Sequence, residues 1–171
     1  MTDGARIHLP DLPPDLRFVA LPHDERSFVH SFDVKRAALQ PFVEARGGWD
    51  DALQKRLHRE RFAEKPFTRI LWRDRAVGTV SVMRLAGHVR FGEFYLLSDD
   101  QRLGLGSRVL RHCLMLADAT SLPVTADYLK GSPVASLYRR HGFTVVGETE
   151  ACLLIERPLV DSSRFAFDHH T

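Results

Sequence analysis

The sequence predicts an α/β protein of α+β layout, with a mixed, mostly antiparallel central sheet flanked by helices. Three observations carry this. Between Asp24 and Phe62 apolar residues recur at helical intervals. From Phe67 to Leu97 the period becomes that of strands joined by short turns, an antiparallel meander. Beyond it, helical and strand patterns alternate as far as Arg157. Length and composition agree, since 171 residues at 44% hydrophobic and 27% charged suit one compact unit that buries a core.

Each element has its own local signal. Residues 1–15 hold Pro10, Pro13 and Pro14 and little periodicity, which reads as an N-terminal arm leading into a strand at Leu16 to Leu21. Phe28, Val29, Phe32, Ala37, Ala38, Phe42 and Val43 mark a helix, with a kink or break expected at Pro41 and an end at Gly47 and Gly48. Asp50 caps a second helix through Phe62, whose Lys, Arg and Glu side reads as a solvated face. Next come the strands TRILWR, AVGTVSVMRL and VRFGEFYLL, then a helix in SRVLRHCLMLADA and a strand at Val124 to Tyr128. A helix opened by Ser132 and Pro133 stops at Gly142, followed by strands at Phe143 to Glu148 and Ala151 to Arg157. The expected division is an arm at 1–15, one domain at 16–157 and a C-terminal tail at 158–171.

Several function classes drop out. There are 24 basic and 22 acidic residues, a net charge of +2, so bulk electrostatics gives no argument for nucleic acid. No apolar run is long enough to span a bilayer and MTDGARIHLPDLPP lacks the core of a signal peptide, so a cytoplasmic protein without membrane contact is expected. Cys113 and Cys152 fall in helical and strand patterns and read as buried thiols, and the nine His are scattered, so no metal is expected.

The informative unit is a strand, a six-residue connection and a glycine-containing helix entry: FGEFYLL, SDDQRL, GLGSRVL. Gly104 and Gly106 let the backbone turn sharply and a ligand approach, while the first amides of the helix have no internal acceptors. Such an end favours an anion, above all a phosphate. A bare GxG is better read as an ordinary strand-to-helix turn. A dinucleotide site competes, because Asp127 lies 21 positions beyond Gly106. Against it stand Val109 in place of a third glycine, the long connection, and the preceding antiparallel meander.

QRLGLG at Gln101 to Gly106 resembles the (Q/R)xxGx(G/A) loop of the GNAT superfamily of acyl-CoA-dependent N-acyltransferases, and SPVASLYRRHGF resembles its second block. The element order from about Leu16 to Arg157 is also similar to the GNAT fold. The resemblance implies acetyl-CoA as co-substrate, with the pyrophosphate on Gln101, Arg102, Leu103, Gly104, Leu105, Gly106 and Ser107, and with Arg108 adding charge. It implies pairing of the pantetheine arm with backbone near Leu96 and Leu97. Ser132, where many members carry Asn, keeps a helix cap and puts a cofactor contact in question. Tyr138 takes the position whose phenol protonates the departing thiolate.

A base must also take the amine's proton. Glu93 shares a face with Phe91 and Tyr95 on strand parity, and its place eight residues before Gln101 resembles that of a Glu in bacterial family members; it is the candidate, against a strand Glu that faces solvent or pairs with an Arg. By resemblance the acceptor site lies on the FVEARGGWDD connection and the segment Gly147 to Leu153, where Glu44, Asp50 and Asp51 beside Trp49 seat a cationic amine; equally, Asp50 only caps a helix and Trp49 only plugs the core. The Gly48–Trp49–Asp50 run resembles a GWD-containing bacterial subgroup. The expected activity is acetyl transfer to a primary amine, small or peptidic, in a ternary complex. An acyl-CoA-binding sensor without catalysis and a homodimer stay open.

Overall fold

The computed structural model describes residues 4–97 and 103–159. Their elements run β1 (Ala5–Arg6), β2 (Leu16–Ala20), α1 (Glu25–Glu44), α2 (Asp51–Glu64), β3 (Thr68–Trp72), β4 (Arg75–Arg84), β5 (Val89–Leu96), α3 (Leu105–Asp118), β6 (Val124–Leu129), α4 (Ala135–Arg140), β7 (Thr144–Glu148) and β8 (Cys152–Arg157). The eight strands form one sheet in the order β2-β3-β4-β5-β6-β8-β7, with β1 pairing β4. Every pairing is antiparallel except β5 with β6. None of the described helices is long and apolar enough to cross a membrane.

Local chemistry explains the boundaries. Asp24 caps α1 by accepting from the Ser27 amide at 2.8 Å, and Asp50 caps α2 by accepting from that of Leu53 at 3.0 Å. The helix does not break at Pro41 but continues to Glu44. Proline there falls in the last turn and removes a single hydrogen bond, which the finished helix absorbs. Arg73 and Asp74 both have positive φ, the backbone of a tight two-residue hairpin between β3 and β4. Within the expected N-terminal arm, Ala5 and Arg6 join the sheet beside Arg84 and Met83.

The sheet separates two apolar clusters. On one face Val80, Val82 and Phe91 pack with Val109, Leu110 and Cys113 of α3 and Tyr138 of α4. On the other face, Phe28, Phe32, Phe62 and Phe67 hold α1 and α2 together, with Trp49 packed against them. Cys113 sits in the first cluster, where burial pushes its thiol up to about 12.

Two irregularities shape the centre. β5 pairs with β6 only at Val89↔Val124 and Arg90↔Thr125, and the two strands then part. Just beyond, the β4–β5 register shifts so that Glu93 and Phe94 together oppose Val80. Glu93 occupies the left-handed region at φ 48, uncommon for a residue with a side chain.

Candidate active site

The parting strands open beside the start of α3. Gly104 holds φ 75 at the N-cap, and no side chain among the described residues caps the helix, an end whose amides suit a ligand. Among the described residues a Cβ on Gly104 would meet nothing within 4 Å, and one on Gly106 would reach Leu137 Cδ2 at 3.5 Å. Leu105 is buried in the core and Leu103 is exposed. Ser107 is tied to His141, a residue the sequence reading passed over: His141 Nδ1–H donates to the Leu137 carbonyl at 2.8 Å, leaving Nε2 to accept the Ser107 hydroxyl at 3.0 Å. The histidine thereby ties α4 to the first turn of α3. Gln101 and Arg102 lie outside the described residues, as do residues 160–171 of the expected tail.

Arg108 does not turn its charge toward this end. It pairs with Asp15 at 2.8 Å, anchoring the chain before β2. The Leu97 amide is committed to the Val77 carbonyl at 2.9 Å. Ladder alternation turns the Leu96 backbone the opposite way, toward β6. Ser132 Oγ accepts from the Val134 amide at 3.3 Å and opens the turn into α4.

Tyr138 lies under the parting strands, 5% exposed. Its ring stacks on Tyr128 at 5.8 Å and meets Phe91 and Phe143 edge-on at 6.2 and 5.3 Å. A cavity of about 290 Å³ borders it, lined also by Ala135, Arg139 and Val145. Burial raises the phenol pKa well above the ordinary value, with the Asp127 carboxylate adding to the rise. The hydroxyl therefore keeps its proton across the physiological range.

Glu93 does not share a face with Phe91, as strand parity predicted. The bulge inverts the alternation: Phe91 and Phe94 rings touch at 5.4 Å on the α3 side, whereas Glu93 turns to α2. There its Oε1 accepts from Lys65 Nζ at 3.0 Å and lies 4.0 Å from Arg61 Nε. Burial raises the Glu93 pKa, but Lys65, Arg61 and Lys35 outweigh it and leave the carboxyl below its ordinary value. Near Glu93, burial and the Glu93 charge raise the Tyr95 pKa well above normal.

Behind Glu93 is a buried polar cluster. Lys35 is 1% exposed and His58 0%. The Ser31 hydroxyl donates to the Phe28 carbonyl, so its oxygen accepts from His58 Nε2 at 2.8 Å, which leaves Nδ1 as the unprotonated nitrogen. Among the described residues Lys35 Nζ, His58 Nδ1 and Glu93 Oε2 have no hydrogen-bond partner. Burial, reinforced by Arg61, lowers Lys35 to about 8. Burial also brings His58 down to about 4. The unfolded chain protonates this histidine near pH 6.5 and the folded chain only near 4, so acid favours unfolding through that window. Between about pH 7 and about pH 5 this group costs about 2 kcal/mol of stability. Urea unfolding at both pH values checks it: His58→Gln, which does not titrate, loses that much less than the parent, and an equal loss in both proteins refutes it.

The residues expected to seat the acceptor have structural partners. Asp50 caps α2, and Trp49 Nε1 donates to Asp51 at 3.0 Å while its ring packs on the phenylalanine cluster. Glu44 is exposed and accepts from Gln40 at 2.7 Å. The α2 charges expected to be solvated instead supply Arg61, and Lys65 follows directly as the C-cap residue. Arg90 and Asp127, at 2.9 Å, form a further ion pair where β5 and β6 begin to part. No group of three or more His, Cys, Asp or Glu that could hold a metal ion occurs among the described residues.

A model of the acetyltransferase (GNAT) domain family matches residues 64–145. The PaiA N-acetyltransferase from Thermoplasma acidophilum, solved in complex with coenzyme A, shares the fold with a TM-score of 0.66 at 13% identity, covering 84% of this chain and 98% of that one. PH1933 from Pyrococcus horikoshii OT3 gives 0.66 at 17% identity, over 85% and 99% of the two chains. The ribosomal-protein-S18-alanine N-acetyltransferase from Escherichia coli gives 0.62 at 12% identity, over 86% and 96%. Among curated proteins no sequence matches.

Proposed function

We propose that this chain, a member of the GNAT superfamily by its domain match and its fold, is an N-acetyltransferase that moves an acetyl group from acetyl-CoA to a primary amine by direct attack. The observation that carries this reading is the juxtaposition at the strand splay. β5 leaves β6 after two paired positions, the gap opens onto the uncapped N-terminus of α3, and a buried phenol lies beneath.

The α3 amides and helix-end charge hold the pyrophosphate, and Ser107, steadied by His141, belongs to the same turn. The edge of β5 beyond its pairing with β6 takes the pantetheine arm as an added strand. The amine nitrogen attacks the thioester carbonyl, the C–N bond forms and the C–S bond breaks. One amine proton passes to Glu93, whose Oε2 has no donor of its own. Tyr138 donates its hydroxyl proton to sulfur as negative charge builds there. Its raised pKa weakens it as an acid but guarantees that the proton is present.

The test has two parts. CoA or acetyl-CoA at about a hundredfold excess over Kd raises Tm by about 5 °C or more, since the ligand binds only the folded chain. Acetyl-CoA with a panel of amines then releases free thiol. Binding without release for every amine would make the protein an acyl-CoA sensor, and a shift with NAD but not CoA would make it a dinucleotide binder.

A further inference from the structure

The polar cluster on the α1–α2 face has unused hydrogen-bonding capacity of both signs. Glu93 Oε2 is a buried acceptor without a donor, and Lys35 Nζ is a buried donor without an acceptor. The Arg61 guanidinium donates no hydrogen bond among the described residues, and Glu93 Oε1 lies 4.0 Å from its Nε. Exposure falls inward, from 44% for the Arg61 side chain through 19% for Lys65 to 5% for Glu93. Arg61 stands at the solvent end of this gradient and Glu93 at its buried end.

The charges do not balance. Lys35, Lys65 and Arg61 interact with Glu93, so three cations meet one carboxylate, while nearby Arg90 and Asp127 neutralise each other. An amine with only positive charge would satisfy Glu93 Oε2 and worsen the excess. A molecule that brings an ammonium and an anion together would satisfy both. The planar guanidinium, with its donors in a fixed fork, matches a carboxylate. Its closeness to Glu93 allows only a few bonds between the two groups.

We infer that the acceptor is an amino acid or a similar amine bearing a carboxylate a few bonds away, its nitrogen on Glu93 and its carboxylate on Arg61 with Lys35 behind. The inference rests on the transferase reading above. It assigns Arg61 as a specificity residue.

The experiment measures thiol release from acetyl-CoA with L-amino acids, the same compounds as carboxamides, and the carboxylate-free amines spermidine and tyramine. Amidation also lowers the basicity of the neighbouring amine, which leaves more of it unprotonated, so intrinsic reactivity favours the amide. The kcat/KM of the best acid nevertheless exceeds that of its amide by roughly tenfold to a hundredfold, the worth of a charge-assisted pair. Arg61→Met brings this ratio toward one and Arg61→Lys, which keeps charge without the fork, gives an intermediate ratio, each with a melting curve to confirm folding. Amides used as well as acids, or turnover of spermidine and tyramine alone, overturns the inference and leaves the transferase reading standing. An acid preference that survives Arg61→Met overturns the assignment to this cluster. No thiol release with any amine overturns the transferase reading and this inference with it.

Discussion

Tyr138→Phe lowers kcat by roughly 10²- to 10⁴-fold, the span expected for loss of a positioned proton donor, and leaves the CoA-induced rise in Tm in place. The reason lies in how the ring is held. Tyr128, Phe91 and Phe143 fix it from three sides, and phenylalanine keeps each of those contacts. Only the hydroxyl is lost. In the parent, burial holds the phenol protonated, so its contribution should stay flat with pH up to the alkaline range rather than titrate near ten. Steady-state thiol release against pH is the measurement, with single-turnover rates to establish that chemistry limits kcat. An unchanged kcat under that condition would reduce Tyr138 to a packing residue.

Gly104→Val removes most of the stabilisation by CoA while costing the free protein only a modest loss. At φ 75 any residue with a Cβ is strained by about 1–2 kcal/mol, more for a branched one. Among the described residues, the Cβ of the new side chain meets nothing within 4 Å. Steric conflict therefore arises with whatever docks on the α3 amides. Gly104→Ala separates the two effects, since it carries similar strain but little bulk and should keep part of the shift. Thermal melts of the three proteins with and without CoA read this directly; a full CoA shift in Gly104→Val would move the pyrophosphate site away from this turn.

Local signals made much of the architecture legible. Asp24 and Asp50 announce their helices, the period changes near Phe67, and QRLGLG with LYRRHGF points to a fold and a cofactor, because capping, alternation and glycine turns act over a few residues. The arm strand at Ala5 and Arg6 was not legible, since two residues carry no period. Neither was the continuation of α1 past Pro41, where a local penalty is outweighed by the packed helix.

The candidate site divides along the same line. The sequence by itself determined which residues stand at the strand, the turn and the helix entry, including Glu93, Gly104, Ser107 and Tyr138. Tertiary structure alone decided where they point and what they meet. A single bulge inverts the parity of β5 and sends Glu93 to α2 instead of to the face of Phe91. Charges that look solvated on a helical wheel become partners of a buried carboxylate, because Arg61 and Lys65 reach Glu93 across 32 and 28 positions of chain. The physical reason is range: helix caps and hydrophobic periods are written within one turn or one pleat, whereas burial, and with it the charge balance that selects a ligand, arises only when distant segments pack and exclude water.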